Sequence, residues 1–331
     1  MEYRPLGTTG VDVSVLGYGA APLGDVYGRV DADAAARSVR TALDLGVNII
    51  DVSPYYGRTT AETALGRALV GLDRDAYLLA TKVGRYGLAE FDFSAARVRR
   101  SVDESLARLG VEHLDLVQCH DIEFGDLGQI AEETLPALAE LRTAGKLRHI
   151  GVTGYPLPAL ASVADRAGVD TVLSYCRYTL LDHSLADWLP YFAERRVGVL
   201  NASPLAMGVL TGRGAPAWHP APPELLRHSA EAARLCAARG VAIEELALRF
   251  SVAHPGFATT FVGMPDPQQV RDNVRAAGTP PDPELLAEVQ AVLAPVLGRH
   301  WPSGRPENST LPGDGAQRQG DRVGFDVGAP S

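Results

Sequence analysis

Cysteine is scarce in this chain: Cys119, Cys176 and Cys236 are the whole set. None of them stands in a C-x-x-C or other metal-ligand spacing, so the set reads as reduced thiols in a reducing compartment rather than a disulfide framework. Positive charge is also short, with 31 basic residues against 40 acidic ones and a net charge of −9. That balance argues against nucleic acid or an anionic membrane as a partner, because both reward basic patches. No run approaches the roughly 18 apolar residues that span a bilayer. The opening MEYRPLGTTG lacks the apolar core of a signal peptide. These absences lead to the expectation of a cytoplasmic protein.

What is present is an ordinary globular composition, 46% hydrophobic over 331 residues, enough to bury a large core. Glu2 to Leu6 and Val11 to Val13 flank the turn GTTG and predict a hairpin. After it, one pattern recurs. Short runs rich in β-branched residues begin near Val13, Val47, Tyr77, Leu114, His149, Thr171, Val197 and Ala258, with amphipathic stretches between them. Apolar strands separated by helices indicate a parallel sheet covered by helices. Eight of them predict an α/β fold of the (β/α)₈ TIM-barrel type, preceded by the hairpin and followed by an extra helix from Pro283 to about Leu297. The competing open doubly wound sheet usually carries G-x-G-x-x-G after its first strand. Here that position reads LGYGAAPLG, which lacks the third glycine. Residues 1–301 are expected to form one domain, and residues 302–331, poor in apolar content, a mostly disordered tail.

Residues at the C-terminal ends of barrel strands face the active site. Asp51 ends the second run, Lys82 the third and His120 the fourth, while Tyr56 sits in the loop after Asp51. Each alone has an ordinary explanation as a turn former, a solvated lysine, a packed tyrosine or a satisfied histidine. Their coincidence on consecutive strand ends favours chemistry. A free tyrosine titrates near ~10, and a neighbouring ammonium favours its phenolate. Tyr56 would then be the acid in a reduction and the base in an oxidation, with Lys82 lowering its pKa, Asp51 holding Lys82, and His120 sharing the same oxygen. A metal site is not expected, because His120, Asp121 and Glu123 have no second histidine at ligand spacing.

The stretches GVNIIDVSPYYG, ATKVGRY and LVQCHDIEFG resemble the aldo-keto reductase superfamily. Within it, SYCRY, ASPLAMGVLT, WHPAPPEL and HWPSG resemble the group of L-galactose dehydrogenase and L-fucose (D-threo-aldose) 1-dehydrogenase. The resemblance implies that Asp51, Tyr56, Lys82 and His120 form the catalytic tetrad. It also implies a nicotinamide cofactor and the oxidation of a cyclic hemiacetal to a lactone.

The resemblance assigns further positions. The strand-end pair that holds the nicotinamide carboxamide reads Thr153-Gly154, the next strand offers Tyr175, and the usual stacking aromatic is replaced by Ala202. Ser203, Leu205 and Gly208 match the loop beside the pyrophosphate, and Asp272 and Asn273 match positions that meet adenine. Gly263 and Gln269 stand where NADPH-using relatives carry Lys and Arg, and Asp266 adds a negative charge, so NAD is expected over NADP. Tyr18, Asp121, Glu123, Trp218 and His219 are expected to read sugar hydroxyls. Alternatives are an NADPH-dependent reductase of small aldehydes and ketones and a non-catalytic redox-sensing subunit. The expected partner is a small sugar or other hemiacetal, with the chain a monomer or homodimer.

Overall fold

The computed structural model describes residues 1–309. Strands β1 (Tyr3–Pro5) and β2 (Asp12–Ser14) pair antiparallel. Leu6 and Val13, at the hairpin, pack into the same cluster as Ile49, Ala80, Leu116, Leu173 and Leu200. The hairpin therefore closes the lower mouth of the strand barrel. Gly7 makes this approach possible: at φ 56° its absent Cβ would lie 2.6 Å from the Gly198 amide.

Eight parallel strands close into a barrel in chain order: β3 (Leu16–Gly19), β4 (Ile49–Asp51), β5 (Leu78–Val83), β6 (Leu114–Cys119), β7 (Leu147–Gly154), β8 (Thr171–Tyr175), β9 (Gly198–Ala202) and β10 (Thr259–Gly263). β10 returns to β3, with Thr260 beside Leu16. The expected (β/α)₈ barrel and hairpin are thus both present.

Outside the barrel lie α1 (Ala32–Asp44), α2 (Thr60–Leu69), α3 (Ala95–Leu109), α4 (Leu135–Thr143), α5 (Leu157–Ala167), α6 (Leu189–Glu194), α7 (Pro223–Ala238), α8 (Ile243–Ala253), α9 (Pro267–Ala277) and α10 (Pro283–Leu293). Their ends reflect local chemistry. Ser94 caps α3 by accepting from the Arg97 amide, and Gly110 stops it at φ 68°. Two helical stretches are interrupted near prolines. The stretch 184–195 splits at Trp188, just ahead of Pro190, and the final helix ends at Leu293, before Pro295. Among the described residues no helix is long and apolar enough to cross a membrane.

The expected tail needs revision at its start. Residues 302–309 are packed: Ser303 and Asn308 are buried, and a short 3₁₀ turn spans Pro306–Asn308. Polar composition suggested disorder, but hydrogen bonds to Glu123 and Gly125 hold this segment. The rest of the expected tail, 310–331, lies outside the described residues.

Candidate active site

Strand alternation decides which side chains meet at the upper mouth. Ile49, Ala80 and Leu116 fill the barrel interior. Two residues further along the same face stand Asp51, Lys82 and Gln118, all buried. Lys82 pairs with Asp51 and donates to the Val52 carbonyl at 2.9 Å. The second Asp51 oxygen accepts from Gln118 Nε2 at 3.1 Å. The carboxylate is thereby fixed between β5 and β6, and the ammonium is fixed with it.

Tyr56 reaches this group from the loop after β4. Gly57, at φ 59°, lies directly on Gly24, and an added Cβ there would stand 2.3 Å from the Gly24 carbonyl oxygen. The next two residues, Arg58 (φ 48°) and Thr59 (φ 76°), also take the left-handed conformation. Such strain concentrates where a loop is held for function. The Lys82 ammonium sits 4.8 Å from the Tyr56 ring centroid. The His120 ring stands 5.7 Å away, at 89° to the phenol. Ser53 Oγ accepts from the Tyr55 amide at 3.1 Å and lies 3.0 Å from His120 Nδ1, which fixes the imidazole.

Burial sets the electrostatics. It lowers the His120 pKa to about 3, so the imidazole is neutral at physiological pH. It also raises Tyr56 well above 10, and the charges of Asp51 and Asp121 raise it further. Desolvation and the two carboxylates thus outweigh the cations that favour the phenolate. Lys82 is paired with Asp51, and the half-buried phenol meets the charges of Asp51 and Asp121.

A second ion pair stiffens the rim. Arg85 binds Asp121, donates to Tyr55 Oη at 3.0 Å and lies 3.8 Å from the centre of the Tyr55 ring. Asp121, at φ 49°, donates its amide to Thr153 Oγ1 at 3.1 Å. Burial pushes the Asp121 carboxyl up, but the charge and hydrogen bond of the paired Arg85 guanidinium act against it, and it ends below its ordinary range. Sequence reasoning missed Arg85, Gln118, Ser53 and Tyr55. Gln118 was accessible to it, two residues before His120 on the same strand face as Lys82.

The remaining expected residues divide. Thr153 and Asp121 adjoin the tetrad. Tyr175 ends β8 on the inner face and donates to Glu123 Oε1 at 3.3 Å. Trp218 and His219 stand on the loop after β9, with Trp218 6.1 Å from the Tyr27 ring and His219 4.8 Å from Trp301. Tyr18 does not join the site. It alternates outward on β3, and its hydroxyl meets Ser38 Oγ of α1 at 2.7 Å in the layer between barrel and helices.

After β9, Ser203, Ala206, Met207 and Gly208 all have positive φ. Leu205 lies within this run and Gly263 at the end of β10. Asp266 caps α9 by accepting from the amides of Gln268 and Gln269 at 2.9 and 3.0 Å. On the exposed side of α9, Asp272 pairs with Arg275, and Asn273 is half-buried beside it. Loops after the seventh and eighth strands of such barrels commonly form phosphate sites, and a left-handed run turns main-chain amides toward anions. In this run Ser203, Ala206 and Gly208 donate their amides to the carbonyls of Phe261, Ser203 and Leu205, so the loop is held in shape by its own main chain.

A closed (β/α)₈ barrel carrying a buried Asp–Lys pair, a tyrosine over that lysine and a neutral histidine at one rim defines an oxidoreductase of the carbonyl–alcohol type. Residues 15–294 match the Aldo/keto reductase family, and the chain belongs to that family. The family works with a nicotinamide cofactor. Over 317 residues the chain is 49% identical to L-galactose dehydrogenase of Arabidopsis thaliana, covering 93% of this chain and 99% of that one. It is 33% identical to D-arabinose 1-dehydrogenase of Saccharomyces cerevisiae over 297 residues, covering 81% and 87%. The solved holo form of an aldo-keto reductase from Bacillus halodurans superposes with a TM-score of 0.74 at 28% identity, covering 94% of this chain and 100% of that one.

Proposed function

We propose that the enzyme oxidises the anomeric carbon of a cyclic aldose, of the L-galactose or L-fucose type, to the corresponding lactone with NAD. The likeness to L-galactose dehydrogenase along almost its whole length carries the choice of substrate class. When bound, the nicotinamide supplies the carbon that accepts the anomeric hydride. The chain's own residues manage the proton. The anomeric hydroxyl lies against Tyr56 and His120, and the Tyr56 phenolate takes its proton as the C1–H bond breaks and the carbonyl forms. The resting phenol is neutral, so this step first requires its ionisation. Lys82 faces the ring and stabilises the phenolate, while Asp51 and Gln118 keep Lys82 in place. Neutral His120, oriented by Ser53, shares the substrate oxygen without adding a charge.

The preference for NAD over NADP rests on the rim beyond β10. Asp266 occupies the α9 amides that a 2′-phosphate would seek, and it repels a second anion. Arg271, the nearby cation, is engaged with Gln268 at 3.1 Å. Asp266→Ala should lower the KM for NADP at least about tenfold and leave that for NAD within about threefold. An unchanged ratio would move discrimination elsewhere.

The direct test is a panel of L-galactose, L-fucose and D-arabinose with both cofactors, reading reduced nicotinamide by absorbance. Turnover of small aldehydes with NADPH and of none of the sugars would replace this reading with the carbonyl reductase. Retention of the cofactor without turnover of either class would point to a redox-sensing subunit.

A further inference from the structure

Glu123 is fully buried, and Ser303, Arg305 and Asn308 all bind to it. Its Oε1 accepts from Ser303 Oγ at 2.9 Å, the Tyr155 amide at 3.2 Å and Tyr175 Oη at 3.3 Å. Its main-chain carbonyl accepts from the Arg305 amide at 2.9 Å and Asn308 Nδ2 at 2.8 Å. Asn308 Nδ2 also donates to the Gly125 carbonyl at 3.0 Å. Gly304, at φ 78°, passes so close that an added Cβ would lie 2.4 Å from Glu123 Cγ. Gly154 leaves the space taken by Oε2, which would stand 2.8 Å from a Cβ there and has no hydrogen-bond partner.

The segment tied down in this way carries Trp301. Its ring stacks on Tyr155 at 5.2 Å and meets His219 edge-on at 4.8 Å, and Tyr155 contacts Tyr175 at 5.4 Å. Tyr175 ends β8, four strands from Asp51 on β4 in a ring of eight. The aromatic wall therefore stands across the mouth from the tetrad. We infer that Glu123 is a positioning residue that straps residues 301–309 over the rim and so sets Trp301 in the wall facing Tyr56.

A buried carboxyl that anchors a strap makes the strap sensitive to its ionisation. Burial raises Glu123 to about 8, and neighbouring Asp121 acts in the same direction. The groups facing it are Asp121, which Arg85 pairs, Tyr155 and Tyr175 from the β7 and β8 ends, and Ser303 from the strap. The Ser303 hydroxyl and the Tyr155 amide favour the charged form, so ionisation tightens the contact at Oε1, while Oε2 is left charged and without a partner beside Asp121.

The test uses the full chain and, for its substrate, rests on the aldose reading above. Asn308→Ala and Ser303→Ala are compared with the unaltered enzyme for aldose KM, NAD KM, kcat and tryptic cleavage after Arg299. The expected result is an aldose KM raised about tenfold by Asn308→Ala, with kcat and NAD KM within about twofold and faster cleavage. Unchanged aldose KM and cleavage in both strap variants would overturn the inference, as would an equal loss across kcat and both KM values. Should the unaltered enzyme oxidise no aldose, the aldose reading fails by itself. Cleavage then decides the strap, and equal rates with and without Asn308 reject it.

Discussion

Truncating Asp121 to alanine tests whether the rim depends on charge pairing or on packing. The Asp121 and Arg85 side chains are 5% and 9% exposed, so removing the carboxylate strands a buried guanidinium. What remains for Arg85 is one hydrogen bond to Tyr55 and the faces of Tyr55, Phe91 and Phe124 at 3.8, 5.2 and 5.4 Å. Breaking a buried pair on one side typically costs about 3–5 kcal/mol, whereas replacing both partners with apolar groups is often nearly neutral. Asp121→Ala should therefore lose about 3–5 kcal/mol in urea denaturation monitored by tryptophan fluorescence. Adding Arg85→Met, which keeps contact with the three aromatic rings, should recover most of that loss. The double variant should thus be more stable than Asp121→Ala alone. Additivity of the two single changes to within about 0.5 kcal/mol would show the residues to be uncoupled and refute the reasoning. Both singles should also lower kcat/KM, because Tyr55 precedes Tyr56 in the same tight loop.

Other expectations come from the same geometry. Tyr56→Phe keeps the ring over Lys82 but removes the proton carrier, so kcat for oxidation should fall by about 10²–10⁴ with NAD affinity unchanged; normal turnover would end the role given to Tyr56. Because Tyr56 in the free enzyme titrates well above 10, kcat/KM for oxidation should rise with pH from about 7 to 10, and a flat profile would assign the proton to another group. Gly24→Ala would push its Cβ to 2.8 Å from the Tyr56 carbonyl, so kcat should drop without loss of the folded barrel by circular dichroism. The folded-state pKa of Glu123, about 8 against 4.5, means that its burial costs nothing below about 4.5 and its full amount above about 8. The stability advantage of Glu123→Gln should therefore grow across that window, and a constant difference would remove Glu123 from the pH dependence.

Much of this was legible from spacing because strand periodicity is rigid. Once Asp51, Lys82 and His120 are placed at strand ends, the barrel leaves them only one rim on which to meet. The same rule excludes Tyr18, which shares the outward face with Leu16. The contacts that orient the tetrad were harder to read. The Ser53–His120 and Arg85–Asp121 contacts depend on how loops close, and Ser303 lies 180 positions from Glu123. Local composition made residues 302–309 look like tail, although a distant carboxyl supplies their anchor. The net shift of Tyr56 was hidden for a related reason: the lysine is visible in the sequence, but the desolvation of the phenol is not.

Lys82 and Lys146 are the lysines of this chain, and they differ sharply in access. Lys146 ends α4's turn with its side chain 37% exposed, while Lys82 is 1% exposed beneath Tyr56. An amine-reactive reagent thus meets one open lysine and one locked inside the barrel. The modification rate of Lys82 relative to Lys146 becomes a clock for how often the upper mouth breathes, with its own reference in the same molecule.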